Sequence, residues 1–563
     1  MKRPILSDFS SADFDAVIIG AGINGCGIAR DAALRGLRVL LLDKGDIGGG
    51  TTAWSTRLIH GGLRYLEHGE LGLVRESLRE RETLLRRVAP HLVRPLPLLI
   101  PVYANRRRGP LTILAGMIAY DLLSPVSSLP PHRMLTPAEA LRRAPGLEPE
   151  GLKGAALFYD AQAVYAERLA LENALDARAR GATVLTHARV VRLIVERGAA
   201  RGVEFEDLLG GAARVATGGT TNGAAGDTTH EATGDATHAA RARVVLNVAG
   251  PWVDEVLAGA DGGVRLIGGT KGSHLVVPPF HGAPDAALYA EAAEDARPFF
   301  IIPWDGKYLI GTTDERYVGD LDRVRAGERE IEYLLRETNR TIPSARLKRS
   351  DILYTYSGVR PLPYVARGEE ASVTRRHFIR PSRLGGLFSV VGGKLTTYRS
   401  LAEAAVDLIF KQLGKTSPPC ATAATPLPGA AVADFDAFAA GFRSRSPLPA
   451  KSSERLLKVY GARASEVLRL ALEDAGLRET ISEETGSIGA EVVFAFRSEM
   501  AETLVDCLMR RTMLGLNSRT GLDAVELAAR IARKFLGWDE QRAAREVEDY
   551  KRYVARFQAV SLF

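Results

Sequence analysis

The sequence predicts an α/β protein: a largely parallel sheet with helices, an inserted antiparallel sheet, and an all-helical C-terminal domain. Three observations carry this. A strand–glycine turn–helix–strand unit occupies residues 14–46, and strand-to-helix turns built of small residues recur at 249–251 and 392–393. After a Pro/Gly-rich linker, Thr425–Ala430, apolar residues repeat with a helical period. A chain of 563 residues exceeds a single hydrophobic core, so several domains are expected. With 46% hydrophobic and 25% charged residues it has the profile of a soluble globular protein.

The first unit reads "FDAVIIGAGINGCGIARDAALRGLRVLLLDKGD". Val17–Ile19 is an apolar run suited to a buried parallel strand. Gly20, Gly22 and Gly25 then match G-x-G-x-x-G, with Asn24 inside the turn. The first glycine permits the tight turn, the second lets a pyrophosphate approach the backbone, and the third lets the helix pack against the strand. The helix is expected to run to about Arg35 with Gly36 as its cap, followed by the strand Arg38–Leu42. Asp43 closes that strand, followed by Lys44, where an acid can bond ribose hydroxyls about 20 residues after the glycines. Together these predict a Rossmann-like dinucleotide-binding domain. Its place at the N-terminus, completed by two later segments, points to FAD rather than NAD.

Those later segments are Val245–Val256, turning at Ala249-Gly250-Pro251, and Leu387–Phe410, turning at Gly392-Gly393 into a helix that carries Thr396, Thr397 and Arg399. Both place backbone N–H groups at the carboxyl end of a strand, where open α/β sheets bind ligands. Between them, "RPFFIIPWDGKYLIGTTDE" holds Asp305-Gly306 between apolar runs, a hairpin signal. The expected organisation is an oxidoreductase region over residues 1–415. Its cofactor-binding parts lie at about 12–70, 150–260 and 376–415, and its substrate-holding parts at about 71–149 and 261–375. Residues 210–240, mostly Gly, Ala and Thr, read as a flexible surface loop joining two strands, with His230 and His238 as bystanders. In residues 416–563 the clearest helices are Ala464–Ala475, Ser498–Arg511 and Leu522–Leu536, with a short one through Leu456, Leu457 and Tyr460.

Several classes are disfavoured. The three cysteines (Cys26, Cys420, Cys507) form no C-x-x-C pair, and the ten histidines show no metal-ligand spacing, so no metal is expected. The net charge of +7 suits an anionic membrane, an anionic substrate or nucleic acid, but no nucleic-acid motif is visible. The N-terminal segment lacks a signal-peptide apolar region, and no run approaches the roughly 18 apolar residues of a spanning helix. Cations and titratable groups gather near turns: His60, Arg64, Tyr65, Lys271, His274, Arg360, Arg375 and Lys394. Converging on one pocket, such cations require an anion to neutralise them, and arginine offers a phosphate or carboxylate planar two-point contacts.

Six segments, "GAGINGCGIARDAALRGL", "RLIHGGLRYLEHGELGLVRESLRERETLL", "KGSHLVVP", "IIPWDGKYLIGTTDE", "YTYSGVRPL" and "GGKLTTYR", resemble in order those of the FAD-dependent glycerol-3-phosphate dehydrogenases, the respiratory enzymes. "EMAETLVDCLMRRTMLG" is similar to the signature of their C-terminal helical domain. The resemblance implies a fold of the glutathione-reductase/D-amino-acid-oxidase type and an FAD site. That site would include Thr51, Ser55, Thr56, Leu58, His60, Gly61 and Leu395 beside the glycine turns, Lys394 and Thr396. It also implies oxidation of sn-glycerol 3-phosphate to dihydroxyacetone phosphate, with hydride passing from C2 to flavin. In that reading Arg64 and Arg375 meet the phosphate, Arg360 and Lys394 lie near flavin and the reacting oxygen, and Tyr65 and Lys271 complete the substrate set. His60 and His274 are both candidates for the base, with neither preferred. Three departures stand out: the 210–240 insert, Arg57 where a lysine is expected, and Trp54 in place of a small residue in "GGGTTAWST".

The same resemblance implies membrane quinone as electron acceptor and peripheral attachment to the cytoplasmic face of the inner membrane. "LRERETLLRRV" reads as a basic amphipathic helix, and three arginines precede the apolar-rich run Leu111–Leu123; the two could rest on an anionic membrane, or the run could be a core helix. A homodimer is left open. The rival readings are an oxidase that passes electrons to O₂ and makes peroxide, a related amine or D-amino-acid oxidase, and a flavin-binding module without turnover.

Overall fold

The computed structural model describes residues 3–4, 6, 9, 13–67, 69–104, 108–124, 126–209, 237–258, 260, 262–365 and 376–559, excepting the side chains of Arg64 and Glu67. The expected flexible loop, His230 included, therefore lies outside the described residues up to 236.

Five strands form the parallel heart of the first sheet, in the order Leu387–Val391, His238–Asn247, Asp13–Ile19, Val39–Leu42, Thr183–Leu185. Ile19 lies beside both Leu42 and Asn247, so these strands end at one level. The turns after Ile19, Asn247 and Val391 consequently open on the same edge. The strands are almost wholly buried and apolar, as a sheet covered on both faces requires. One face is covered by the helices Ile23–Leu34, Ala166–Ala179 and Tyr398–Leu413, joined in one apolar core with residues such as Ile18, Leu41, Leu171 and Val406. The strands Ala199–Asp207 and His238–Asn247, on either side of the Gly/Ala/Thr segment, pair antiparallel, and the His238 ring tilts against Phe205.

The second sheet has ten strands and is mixed: Ala287–Glu291 runs parallel to Val93–Tyr103, whereas its other neighbours pair antiparallel. Asp305 and Gly306 take φ of 52° and 75°, the left-handed pair that a two-residue hairpin needs to follow strand twist. Leu152–Ala163, placed by sequence among the cofactor-binding parts, instead pairs in this sheet with Val93–Tyr103, Leu58–Ile59 and Arg133–Leu135. Its small and apolar residues suit a central strand hemmed in on both faces.

Among the described residues the C-terminal part is helical except for two short strands, Thr480–Ser482 and Ser487–Ile488. The expected single helix Ser498–Arg511 is broken. One helix ends at Ser498, and the next turns begin at Leu504 behind a Thr503–Asp506 capping box. The cause is tertiary. Buried Glu499 accepts both Nη groups of Arg168, at 2.6 and 2.9 Å, and Met500 turns to φ 56°. A buried carboxylate held by a distant arginine outweighs the helical preference of the segment. The helical part shares a core with the second sheet, where Tyr354 donates to the Leu516 carbonyl at 2.8 Å.

Candidate active site

A cavity of about 920 Å³ runs along the open edge of the parallel sheet and under the second sheet. At one end it is walled by backbone. Gly20 has φ +108°, and a Cβ there would lie 2.6 Å from the Val248 carbonyl oxygen; a Cβ on Gly25 would lie 1.8 Å from the Gly20 oxygen. Side chains cannot be accommodated at either place. Gly22, Ala249, Gly250, Gly392 and Gly393 also line this end. The buried Asn24 Oδ1, also at the lining, has no hydrogen-bond partner among the described residues.

Asp43 lies in the lining with its carboxylate held in place, Oδ2 accepting the Ala21 N–H at 2.6 Å and Oδ1 the Gly45 N–H at 2.8 Å. Burial pushes its pKa up, against the pull of those two N–H groups. Lys44 also lines the cavity, paired with Asp322 at 2.8 Å and lying over the Trp252 ring. Thr51 donates to the Val359 carbonyl at 2.7 Å, and Ser55 to that of Thr52 at 3.1 Å. Thr52, which sequence reasoning passed over, accepts the Ile23 N–H at 3.0 Å and so satisfies an orphan donor of the first helix. Its only signal was a threonine beside the glycines. Leu58 and Leu395 line the cavity; Gly61 does not, its N–H going inward to the Tyr120 hydroxyl at 2.9 Å.

At the other end the walls are side chains. His60, Tyr65, His274, Arg360, Lys394 and Tyr356 meet here from segments far apart in sequence. The His60 N–H donates to Thr396 Oγ1 at 3.1 Å, and its ring stacks on Tyr65. The Lys394 ammonium lies 3.7 Å from the centre of the Tyr65 ring, a cation–π contact. His274 is 2% exposed, with Nε2 3.0 Å from Thr56 Oγ1. Burial above all, then the Arg360 and Arg57 charges, holds its pKa well below the ordinary 6.5, so its ring is neutral at pH 7.

The expectation of cations awaiting an anion needs correcting in two places. Arg360 pairs with Asp314 at 2.9 Å and donates to Thr312 Oγ1 at 3.0 Å. Lys271 is outside the cavity, paired with buried Glu330 at 2.7 Å and donating to the Arg325 carbonyl. "KGSHLVVP" is a strand, so alternate residues face opposite ways. Asp314 was missed although its segment had been singled out, and the lining arginine Arg297 was missed as well. Arg375 and the Arg64 side chain lie outside the described residues.

The two substituted loop positions have structural roles. Arg57 is fully buried and donates to both Glu167 oxygens at 2.7 Å, its guanidinium stacked on Trp304. Trp54 lines the cavity, its ring 5.6 Å from Tyr356 and 5.1 Å from Phe557. Among the described residues, no group of three or more His, Cys, Asp or Glu could hold a metal ion.

Comparison with known proteins gives the family. Residues 15–399 match the FAD dependent oxidoreductase family, and residues 420–543 match the C-terminal domain of alpha-glycerophosphate oxidase. The chain is 45% identical over 560 residues to a glycerol-3-phosphate dehydrogenase of Synechocystis sp., covering 97% of both chains. It belongs to the FAD-dependent glycerol-3-phosphate dehydrogenase family. Within this family's range of names, a D-erythritol 1-phosphate dehydrogenase of Brucella abortus is 37% identical, covering 88% of this chain and 94% of the relative. A solved glycerol-3-phosphate dehydrogenase from Bacillus halodurans, complexed with FAD, superposes with a TM-score of 0.78 at 28% identity, covering 99% of this chain and 97% of that one. The cofactor is FAD, and the glycine-walled edge with its helix N-terminus suits a pyrophosphate.

Proposed function

We propose that this protein oxidises sn-glycerol 3-phosphate to dihydroxyacetone phosphate and passes the electrons to membrane quinone. One observation carries the reading: a single cavity joins the FAD-binding edge to a cluster of cationic and imidazole side chains. When bound there, FAD supplies the hydride acceptor. The protein's residues orient the alcohol and manage charge. Lys394, fixed over Tyr65, and Arg360, fixed by Asp314, stabilise negative charge on the reacting oxygen. His60 takes the hydroxyl proton, because an imidazolium at His274 would stand buried beside two guanidinium groups. Arg64 and Arg375 hold the phosphate, the roles implied by the family.

Anaerobic mixing of the yellow protein with sn-glycerol 3-phosphate tests this. Rapid bleaching, then recovery with a quinone analogue but slowly with air, is expected. Fast recovery in air with peroxide would move the assignment to an oxidase, and no bleaching would overturn the substrate. Because one relative bears the name of an erythritol phosphate dehydrogenase, D-erythritol 1-phosphate is the second substrate to compare by kcat/KM.

Peripheral attachment to the cytoplasmic face of the inner membrane belongs to the same proposal. The helix Pro110–Leu122 buries Ile113, Met117 and Tyr120 but exposes Leu111 (81%), Ile118 (46%) and Leu122 (75%) on its other side. Arg75, Arg79, Arg86 and Arg87 are exposed on the neighbouring helical segment, where Glu80 and Arg81 are buried and paired internally with Arg399 and Asp160. No helix among the described residues is long and apolar enough to cross a membrane. Flotation with anionic liposomes is expected for the wild type and lost on Leu111→Asp/Leu122→Asp; flotation unchanged by the substitutions would exclude this helix as the docking element.

A further inference from the structure

The C-terminal helical domain showed no site residues in sequence, yet part of it walls the cofactor cavity. Thr503, Asp506, Arg510, Tyr553 and Phe557 all line it, together with Asp46 from the loop that follows Asp43. That loop forms the floor of the glycine turn, since the Gly48 N–H donates to the Ala21 carbonyl at 2.9 Å. Asp46 is buried, and among the described residues its carboxylate is held from the other domain alone. Arg510 Nε reaches Oδ2 at 2.5 Å, and Arg511 grips both oxygens at 2.7 Å.

The arginines are fixed in turn. Arg510 Nη2 donates to Asp506 Oδ1 at 2.9 Å, and Asp506 Oδ2 lies 2.9 Å from His187 Nε2. The His187 backbone N–H donates to the Gly45 carbonyl at 2.8 Å. Arg511 donates to the carbonyls of Glu499 and Met500, the bend that breaks the expected helix. The loop carrying Asp43 is thus clamped from both sides, and one jaw is the helical domain. Buried charges arranged in this way tolerate loss of a partner poorly, so the clamp is closed or the loop is displaced.

We propose that the helical domain is a working wall of the FAD site: the Asp46–Arg510–Arg511 clamp sets the loop geometry that FAD binds, so cofactor binding and domain docking stabilise each other. The coupling is reciprocal. Whatever FAD gains from a docked domain, the domain gains from bound FAD. The inference rests on the cofactor alone and stands whichever polyol phosphate is the substrate.

Titration of the full-length apoprotein with FAD tests it. Arg510→Gln is expected to weaken FAD binding by about tenfold or more, the effect of removing one of the two arginines that hold a buried carboxylate at the site. Tyr550→Phe serves as comparison, because it removes a buried hydrogen bond to the Thr520 carbonyl inside the same domain, away from the cavity lining. It is expected to stay within about twofold of wild type, being no part of the loop geometry. Equal affinities for Arg510→Gln and wild type overturn the proposal, as does an equal loss in Tyr550→Phe. Hydrogen exchange of the wild-type chain with and without FAD decides the matter even if Arg510→Gln does not fold. Slower exchange over 499–512 on adding FAD supports the linkage. Protection confined to the N-terminal glycine turns overturns it.

Discussion

The two ends of the cavity are built from different materials. The glycine-lined end, suited to FAD, is made of main chain: three turns at one sheet edge, brought level because their strands run parallel in matched register. The end proposed to hold the substrate is made of side chains from positions 60 to 394, each held by a partner elsewhere in the chain. A site of backbone is specified by short contiguous motifs and fails as a whole when a glycine gains a side chain. A site of side chains comes together only after folding and loses one function at a time.

The largest expected effect lies at the backbone end. Gly25→Ala places a methyl group 1.8 Å from the Gly20 oxygen, so the protein is expected to purify without FAD, seen as loss of the yellow absorbance. A yellow, active Gly25→Ala protein would erase the contrast between the ends. Next comes His60→Ala, for which kcat is expected to fall by about 10²-fold or more while FAD content holds, as the proposed role of general base requires. If FAD content fell in parallel, His60 would belong with the cofactor end. Arg64→Ala is expected to raise KM by about tenfold or more with kcat little changed, the sign of lost ground-state binding. Wild-type kinetics would leave Arg375 as the one assigned partner of the phosphate.

The smallest effect distinguishes two histidines by pH. His274 has a folded pKa well below 6.5, so the unfolded chain binds the extra proton first. Its contribution is complete above 6.5 and is lost as pH falls through the folded value. For His187 burial works downward, but the Asp506 charge and hydrogen bond prevail and its pKa is raised. Its contribution is complete below 6.5 and is lost as pH rises through the folded value. Urea midpoints measured from pH 5 to 8 are therefore expected to lose part of their rise with pH in His274→Gln and part of their alkaline fall in His187→Gln. Slopes identical to wild type would break the contrast.

Local patterns were legible wherever a short stretch carries its own geometry. Gly20-x-Gly22-x-x-Gly25, the left-handed pair Asp305-Gly306 and the turn at Gly392-Gly393 each demand a backbone conformation or a clearance that few residues permit, and each stands where the sequence indicates. The charged residues were read less well. Lys271 and Arg360 appeared as cations in search of an anion, whereas Glu330 and Asp314 already answer them. Arg57 stood out only as an arginine where a lysine is expected, and its role as the buried partner of Glu167 was not visible. A charge in a sequence carries no record of its partner, because ion pairs form across any separation along the chain.

By itself the sequence determined the parallel strand–turn–helix units, the hairpin, the helical C-terminal part and the resemblance that points to FAD. Each follows from steric limits on a few consecutive residues or from the period of apolar side chains. Tertiary structure alone decided that Leu152–Ala163 completes the second sheet, that the chain bends at Glu499–Thr503, and that Arg510 and Arg511 reach back to Asp46 beside the cofactor edge. In each of these the deciding free energy is long-range, a strand finding its neighbours or a carboxylate finding its arginine, and no local window of sequence contains both partners.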